Sequence, residues 1–323
     1  MTEQPIFADI ARPTATDAVS ADPRMTRTIW VLIILMAFCT ATSLAMLGIR
    51  VDFSSNPPLI ATACGYAIVA VYYTVVRREP RLTSVLIATA QLFLVLFIGL
   101  LLTYAASAVD LPYRDANLQL ADLWLGFNRE SYRTFASLPG FGAVLDTAYL
   151  SIQPQTALVP LALILAGQLP RLQQFIMAFG LALSATALIA AFVPAMDAMI
   201  YLDLAPNGIS ALPPGTYTHI PTLEALRAGT MTTIRLNNLE GLITFPSFHT
   251  ASGVMFTWAL WRIRYLRIAG LILNSLLIAS TPISGSHYLI DVIAGAGVAW
   301  TAIVITGRLT ANSARNYRVA RIN

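Results

Sequence analysis

Residues 82–109 read LTSVLIATAQLFLVLFIGLLLTYAASAV, an uninterrupted run without a charged side chain. A helix needs roughly 20 apolar residues to cross a bilayer, so this stretch is long enough to span the membrane once. Comparable apolar runs recur along the chain, at residues 29–49, 59–76, 82–109, 141–168, 175–202, 246–261, 268–284 and 288–309. The sequence therefore predicts an all-α fold, a multi-pass transmembrane helical bundle of about eight spans.

The composition of the whole chain agrees with this fold. Hydrophobic residues make up 57% of the 323 residues and charged residues 11%, whereas charged residues account for about 25% of an ordinary soluble domain. These values exclude a soluble enzyme, a secreted disulfide scaffold and a disordered chain. The net charge of +4 fits the positive charge that membrane proteins collect in their cytoplasmic loops, so we expect no nucleic-acid partner.

The basic residues predict the orientation of the bundle. All twenty are arginines, and most cluster in alternate connections between the apolar runs, at Arg24, Arg27, Arg77, Arg78, Arg81, Arg171, Arg262, Arg264, Arg267, Arg308, Arg315, Arg318 and Arg321. Positively charged loops stay in the cytoplasm, so these connections and both termini are expected to be cytoplasmic. The long loops at about 110–140 and 203–245 are then expected to face outward.

Two histidines lie at the ends of predicted spans. His249 lies in TFPSFHTASG (residues 244–253), where Pro246 and Ser247 are typical of a helix start. His287 lies in SGSHYLIDVIAG (residues 284–295), where the last span begins. The segment between them is long enough to descend through one span and return through the next. Both histidines are therefore expected at the outer ends of their helices and at one depth of the membrane.

Asp291 follows His287 by four residues, which places both side chains on one face of a helix. An aspartate inside a membrane segment is costly without a partner, and a hydrogen bond to histidine supplies one. The bond fixes the imidazole in one tautomer and leaves its other nitrogen free, as a histidine nucleophile requires. The same spacing also fits a structural polar clamp. The second histidine favours phosphoryl transfer, which needs one group to attack phosphorus and another to protonate the leaving oxygen.

These two motifs resemble those of a known family. FPSFHTA at residues 245–251 resembles the P-S-x-H motif of the type 2 phosphatidic acid phosphatase superfamily, and GSHYLIDVIAG at residues 285–295 resembles its H-x-x-x-D motif. Phe248, in place of the usual glycine, and the H-Y-x-x-D form are similar to the inositolphosphotransferase (inositol phosphorylceramide synthase) branch. The resemblance covers residues of about 110–305 and implies a lipid phosphoester substrate and a phosphohistidine intermediate.

The resemblance also implies a role for each motif residue. His287 would be the nucleophile, Asp291 the carboxylate that orients it, and His249 the general acid for the leaving alcohol. Ser247 would donate a hydrogen bond to a phosphate oxygen, and Gly285 would lie at the substrate-binding site. The implied chemistry uses no metal and no other cofactor.

The sequence departs from the superfamily pattern in its cations. The usual first motif contains a lysine, and the chain has none; the arginine expected six residues before the nucleophile is replaced by Thr281. We therefore expect an outer arginine to bind the phosphate, and the candidates are Arg114, Arg129, Arg133, Arg227 and Arg235. Arg227 is favoured because its loop leads into the helix of His249, although an exposed loop arginine fits its position equally well. His219 and Glu240 are weaker candidates.

The resulting interpretation divides the chain into four parts. These are a flexible cytoplasmic tail at residues 1–28, three transmembrane helices within 29–109, a phosphatase- or phosphotransferase-like membrane core at 110–309, and a cytoplasmic tail at 310–323. We expect a lipid phosphotransferase of the cytoplasmic membrane with its active site on the outer side. A plain phosphatase of phosphatidic acid or a polyprenyl diphosphate is an alternative, and a transporter or scaffold is another.

Overall fold

The computed structural model describes residues 21–136, 138–202 and 218–320, with side chains described as far as residue 311. The described chain is helical with two short strands. The helices that enter the bundle are α1 (Pro23–Met46), α2 (Pro57–Val71), α3 (Pro80–Ser107), α4 (Asp115–Trp124), α5 (Arg129–Ala136), α6 (Phe141–Leu150), α7 (Ile152–Leu165), α8 (Leu169–Phe192), α9 (Ala198–Tyr201), α10 (Ile220–Arg227), α11 (Phe248–Leu260), α12 (Arg267–Ser284) and α13 (Leu289–Ala320). The strands are β1 (Arg50–Asp52) and β2 (Thr233–Arg235). The predicted all-α fold is confirmed.

The number of membrane spans is slightly lower than the sequence predicts. Within the described residues, six helices are long and apolar enough to cross a bilayer, and α6 with α7 makes a seventh span bent by 56°. The remaining apolar run forms α11, which has 13 residues. At 1.5 Å per residue this helix covers about 20 Å, whereas the hydrocarbon core is about 30 Å thick. Because α11 begins at a polar turn inside the protein, it does not have to cross the whole bilayer.

Helix α8 is the centre of the bundle. It is the most buried of the candidate spans, since 61% of the residues in its apolar 18-residue stretch are buried. It packs against α1, α3, α11 and α13. Phe175 and Phe179 of α8 and Phe256 of α11 are buried together in this core. By contrast, α2 contains no buried residue. The site described below is therefore built around α8, with α2 at the periphery.

Two predicted boundaries differ from the structure. Helix α1 begins at Pro23, inside the predicted tail of residues 1–28, because the Asp22 carboxylate accepts a hydrogen bond from the backbone N–H of Arg24 and proline fits the first turn. Residues 1–20 of that tail lie outside the described residues. At the other end, α13 continues to Ala320, within the predicted tail of residues 310–323.

The loops that the sequence assigns to one side of the membrane meet at one end of the bundle. Strand β1, in the connection between α1 and α2, pairs in parallel with β2 of the second long loop. In this pairing Val51 is opposite Ile234, which is fully buried. The clustered arginines of the short connections, such as Arg78 and Arg264, lie at the opposite end of the helices that these connections join.

Helices α11 and α13, which follow the two histidine motifs, make a close backbone contact. A Cβ atom at Gly295 of α13 would overlap the backbone oxygen of Ser247, the residue before α11. Backbone cannot yield as a flexible side chain does, so only glycine allows this approach. At Gly297, two residues further along α13, such a Cβ would meet open space. The two glycines therefore form a matched pair for testing the contact.

We predict that Gly295→Ala destabilises the protein and Gly297→Ala does not. Alanine favours a helix over glycine by about 1 kcal/mol at either position, but at residue 295 the clash should outweigh this gain and cost about 1–3 kcal/mol. Thermal unfolding of the two variants in detergent measures the difference. Equal unfolding midpoints for the two variants would contradict the close contact.

Candidate active site

His287 and Asp291 form a buried hydrogen-bonded pair. Nδ1 of His287 lies 3.2 Å from Oδ2 of Asp291, and the same oxygen accepts the backbone N–H of Tyr288 at 2.9 Å. Burial lowers the pKa of His287 to about 4, although a hydrogen bond with the Thr244 backbone acts in the opposite direction. The imidazole is therefore neutral at neutral pH. With Nδ1 turned to the carboxylate, Nε2 is the nitrogen that can attack an electrophile.

His249 lies in the first turn of α11, where Ser247 caps the helix. The Ser247 hydroxyl oxygen accepts the backbone N–H of Thr250 at 3.3 Å, and the Ser247 backbone N–H donates to the carbonyl oxygen of Asp291 at 3.1 Å. The second bond ties the start of α11 directly to the helix of the nucleophile. Ser247 is fully buried and is not among the residues that line the cavity described next. In the structure it therefore holds the two motifs together.

Both histidines line one cavity of about 270 Å³. Their ring centroids are 6.3 Å apart and the ring planes are inclined by 56°. The two rings are therefore close enough to lie on either side of one small bound group. Gly285 also lines the cavity, together with the apolar side chains Leu96, Leu100, Leu183 and Phe248. The fold thus brings His249, His287, Asp291 and Gly285 together beside an apolar chamber.

The cavity is also lined by a third histidine and by an aspartate. His219, which the sequence marks only as a weak candidate, is 9% exposed and reaches it from the turn before α10. Asp197 reaches it from the start of α9, where its carboxylate accepts the backbone N–H groups of Met199 and Ile200. Burial raises the pKa of Asp197 to about 8, more than these N–H groups lower it. The signal for Asp197 in the sequence is its place in the predicted span at residues 175–202, where a carboxylate is costly without a partner.

Arg129 of α5 binds the backbone around the nucleophile. Its guanidinium donates to the carbonyl oxygens of Pro282 and His287, each at 2.8 Å. It also pairs with Asp122 of α4 at 3.5 Å, and the two side chains are only 6% and 1% exposed. The Asp122 carboxylate in turn accepts the backbone N–H groups of Leu289 and Ile290 at 2.9 Å. This arrangement puts an anion at the start of α13, where the helix has unpaired N–H groups.

Hydrogen bonds from two other segments fix the backbone turn at residues 286–288, which precedes α13. The Tyr288 hydroxyl donates to the carboxylate of Asp115 at 2.9 Å, and Asp115 also accepts the backbone N–H of Met196. The backbone N–H of Ala198 donates to the carbonyl oxygen of Ser286 at 3.0 Å. Asp115 and Asp122 are two helical turns apart, hence on one face of α4. That spacing is the signal in the sequence that points to a buried acidic face in this loop.

Arg227 lies apart from the histidines. Its guanidinium pairs with Asp110 at 3.0 Å, donates to the carbonyl oxygens of Val109 and Leu111, and stacks over Tyr113 at 4.0 Å. It lines a separate small cavity, of about 10 Å³. Helix α10 packs against α3. Arg227, the last residue of α10, therefore lies close to Asp110, which follows the end of α3. The structure does not place Arg227 where it can bind a phosphate held by the histidines.

We predict that Arg129→Met destabilises the protein far more than Arg133→Met. Loss of Arg129 leaves Asp122 buried without its cation, which typically costs about 3–5 kcal/mol. Arg133, one helical turn later, pairs with the exposed Glu130 at the surface, where an ion pair contributes about 1 kcal/mol or less. Thermal unfolding midpoints in detergent distinguish the two. A comparable decrease in both variants would show that Arg129 does not anchor the turn.

The comparison with known proteins agrees with this geometry. A family model described as the PAP2 superfamily matches residues 116–305, more than half of the chain, from α4 to within α13. The match includes both histidines and the loop that anchors them. No curated protein and no solved structure matches the chain. Members of the superfamily are phosphoesterases, which supports a lipid phosphatase or phosphotransferase type of function for this multi-pass membrane protein. The superfamily predicted from the two motifs is confirmed, and the chain belongs to it.

Proposed function

We propose that the protein is a lipid phosphotransferase of the inositolphosphotransferase type, which acts through a phosphohistidine formed on His287. The observation that carries the proposal is the His287–Asp291 pair, with Nδ1 and Oδ2 at 3.2 Å, facing His249 across one cavity. The pair supplies an oriented nucleophile, and the second histidine supplies a proton donor.

In the first step the Nε2 lone pair of His287 attacks phosphorus. A nitrogen–phosphorus bond forms while the bond from phosphorus to the leaving oxygen breaks, and the electron pair of that bond goes to the oxygen. His249 donates a proton to this oxygen, so a neutral alcohol departs. Asp291 stabilises the positive charge that develops on the His287 ring.

In the second step an acceptor alcohol attacks phosphorus. Its oxygen forms the new bond and its proton passes to His249, while the electron pair of the nitrogen–phosphorus bond returns to His287. Water in the position of the acceptor would instead give hydrolysis. The apolar wall of Leu96, Leu100, Leu183 and Phe248 favours a lipid alcohol there, because it provides contacts for acyl chains.

The charges around the cavity support a phosphodiester donor. Within the described residues no arginine lines the cavity, the chain contains no lysine, and residues 203–217 contain no basic residue. A phosphomonoester carries about −1.5 to −2 charges at pH 7, whereas a phosphodiester carries one. Removing a second uncompensated charge from water is costly. Among the described lining residues, the protonated His249 that the first step requires supplies one positive charge, which matches the single charge of a diester.

The distribution of arginines supports an outward-facing site. The cavity lies at the end of the bundle where α3 and α8 end and α11 begins. The arginine-rich connections lie at the other end, and such connections are cytoplasmic. The substrate would then be a lipid of the outer leaflet of the cytoplasmic membrane.

The test uses purified full-length protein and two donors with the same acyl chains, phosphatidylinositol and phosphatidic acid. Ceramide or diacylglycerol is the acceptor, chelator is present, and new phospholipids and free phosphate are both measured. We expect turnover of the diester to exceed that of the monoester at least about 10-fold, because only the monoester brings a second charge into the cavity. His287→Ala should decrease turnover at least about 10³-fold and Asp291→Asn about 10²-fold, because they remove the nucleophile and its partner.

Asp146→Asn is the matched control, since Asp146 is an exposed aspartate of α6 and should be replaceable without loss. Faster turnover of phosphatidic acid would contradict the diester assignment. Turnover by His287→Ala at the wild-type rate would contradict the histidine mechanism as a whole. Inositol phosphate from phosphatidylinositol, or free phosphate from phosphatidic acid, as the main product would assign hydrolysis.

A further inference from the structure

Tyr149 of α6 lies flat against His249. The centroids of the two rings are 4.1 Å apart and the planes are inclined by only 12°. The Tyr149 hydroxyl oxygen is 3.4 Å from Nδ1 of His249. This tyrosine belongs to neither histidine motif and is separated from His249 by 100 residues of the chain.

The same tyrosine also contacts the turn of the nucleophile. A Cβ atom at Gly285 would lie 2.5 Å from ring atom Cε2 of Tyr149 and 2.8 Å from its hydroxyl oxygen. Any side chain at residue 285 would therefore push the tyrosine away from its place against His249. This contact explains why a glycine lies two residues before His287, and it holds the tyrosine ring from the side of the nucleophile's turn.

We propose that Tyr149 is the positioning residue of His249: its ring lies flat against the imidazole and prevents it from turning, with the hydroxyl beside Nδ1. His249 then exchanges protons with the substrate only through Nε2. The inference rests on the proposed function, in which His249 is the proton donor of the first step and the proton acceptor of the second.

The different partners of the two histidines suit their different tasks. The His287 ring becomes positively charged when phosphorus binds, and the Asp291 carboxylate stabilises that charge. His249 has to release a proton, and a carboxylate beside it would hold the proton back. A neutral aromatic ring stacked on the imidazole orients it without this effect. The stacking holds the imidazole in both protonation states, so the ring can donate a proton from Nε2 and later accept one there without turning.

The test depends on the leaving group. Two phosphodiesters share one lipid alcohol and differ in the other, which is either an alkyl alcohol or p-nitrophenol. An alkoxide requires protonation as it leaves, whereas p-nitrophenolate is stable without it. In single-turnover measurements we expect Tyr149→Leu, which removes the stacked ring, to slow release of the alkyl alcohol about 10-fold, a part of the effect of a general acid. Release of p-nitrophenol should change less than about two-fold, because this step needs no proton.

Two other variants complete the experiment. Tyr132→Leu is the matched control, because Tyr132 does not line the cavity and its hydroxyl donates to the carbonyl oxygen of Ala279, and neither substrate should be affected. Gly285→Ala displaces the Tyr149 ring, so it should reproduce the selective loss with the alkyl substrate. This variant tests the inference even where Tyr149→Leu is poorly folded.

Three results would overturn the inference: an equal decrease for both substrates in Tyr149→Leu, no decrease for either, or the same pattern in Tyr132→Leu. An equal decrease would assign Tyr149 a purely structural role. Failure of the proposed function gives a different result, because wild-type and His287→Ala proteins would then release p-nitrophenol at the same rate.

Discussion

The backbone of the turn at residues 285–288 is not helical, and inside a membrane protein such backbone has to find hydrogen-bond partners within the protein. The structure supplies them from segments distant in sequence. Arg129 binds the His287 carbonyl, Ala198 binds the Ser286 carbonyl, and Asp122 accepts the first N–H groups of α13. The buried Arg129–Asp122 pair holds this turn in place. The first long loop is therefore part of the active-site framework and does not merely connect spans.

The second constraint is the close approach of α11 and α13. Gly295 lets the backbone of Ser247 lie against α13, and the Ser247 N–H binds the Asp291 carbonyl. These contacts set the 6.3 Å separation of the two imidazoles. The motif serine thus contributes through its backbone and its helix cap, and the distance between nucleophile and proton donor follows from the packing of two helices.

The histidines are then distinguished by their neighbours. Asp291 lies beside one ring and Tyr149 beside the other, so two chemically identical side chains have different surroundings, as the opposite tasks in the proposed mechanism require. The cavity between them contains no arginine among its described lining residues. A site with few cations is consistent with a lipid substrate that carries a single negative charge at phosphorus. The lack of these cations also distinguishes this chain from the lysine- and arginine-containing pattern of its superfamily.

Hydropathy and local spacing in the sequence predicted the helical membrane fold, most of the spans and the His287–Asp291 pairing, because a helix places residues four apart on one face whatever its surroundings. The superfamily also followed from two short motifs. The sequence did not predict that α11 is too short to span, that Arg227 pairs with Asp110, or that Arg129 and Tyr149 reach the histidines. Those last two contacts join residues 158 and 100 positions apart. These contacts depend on how the helices pack against one another. The apolar periodicity of a helix does not indicate which distant side chain will contact it, so only the tertiary structure decided them.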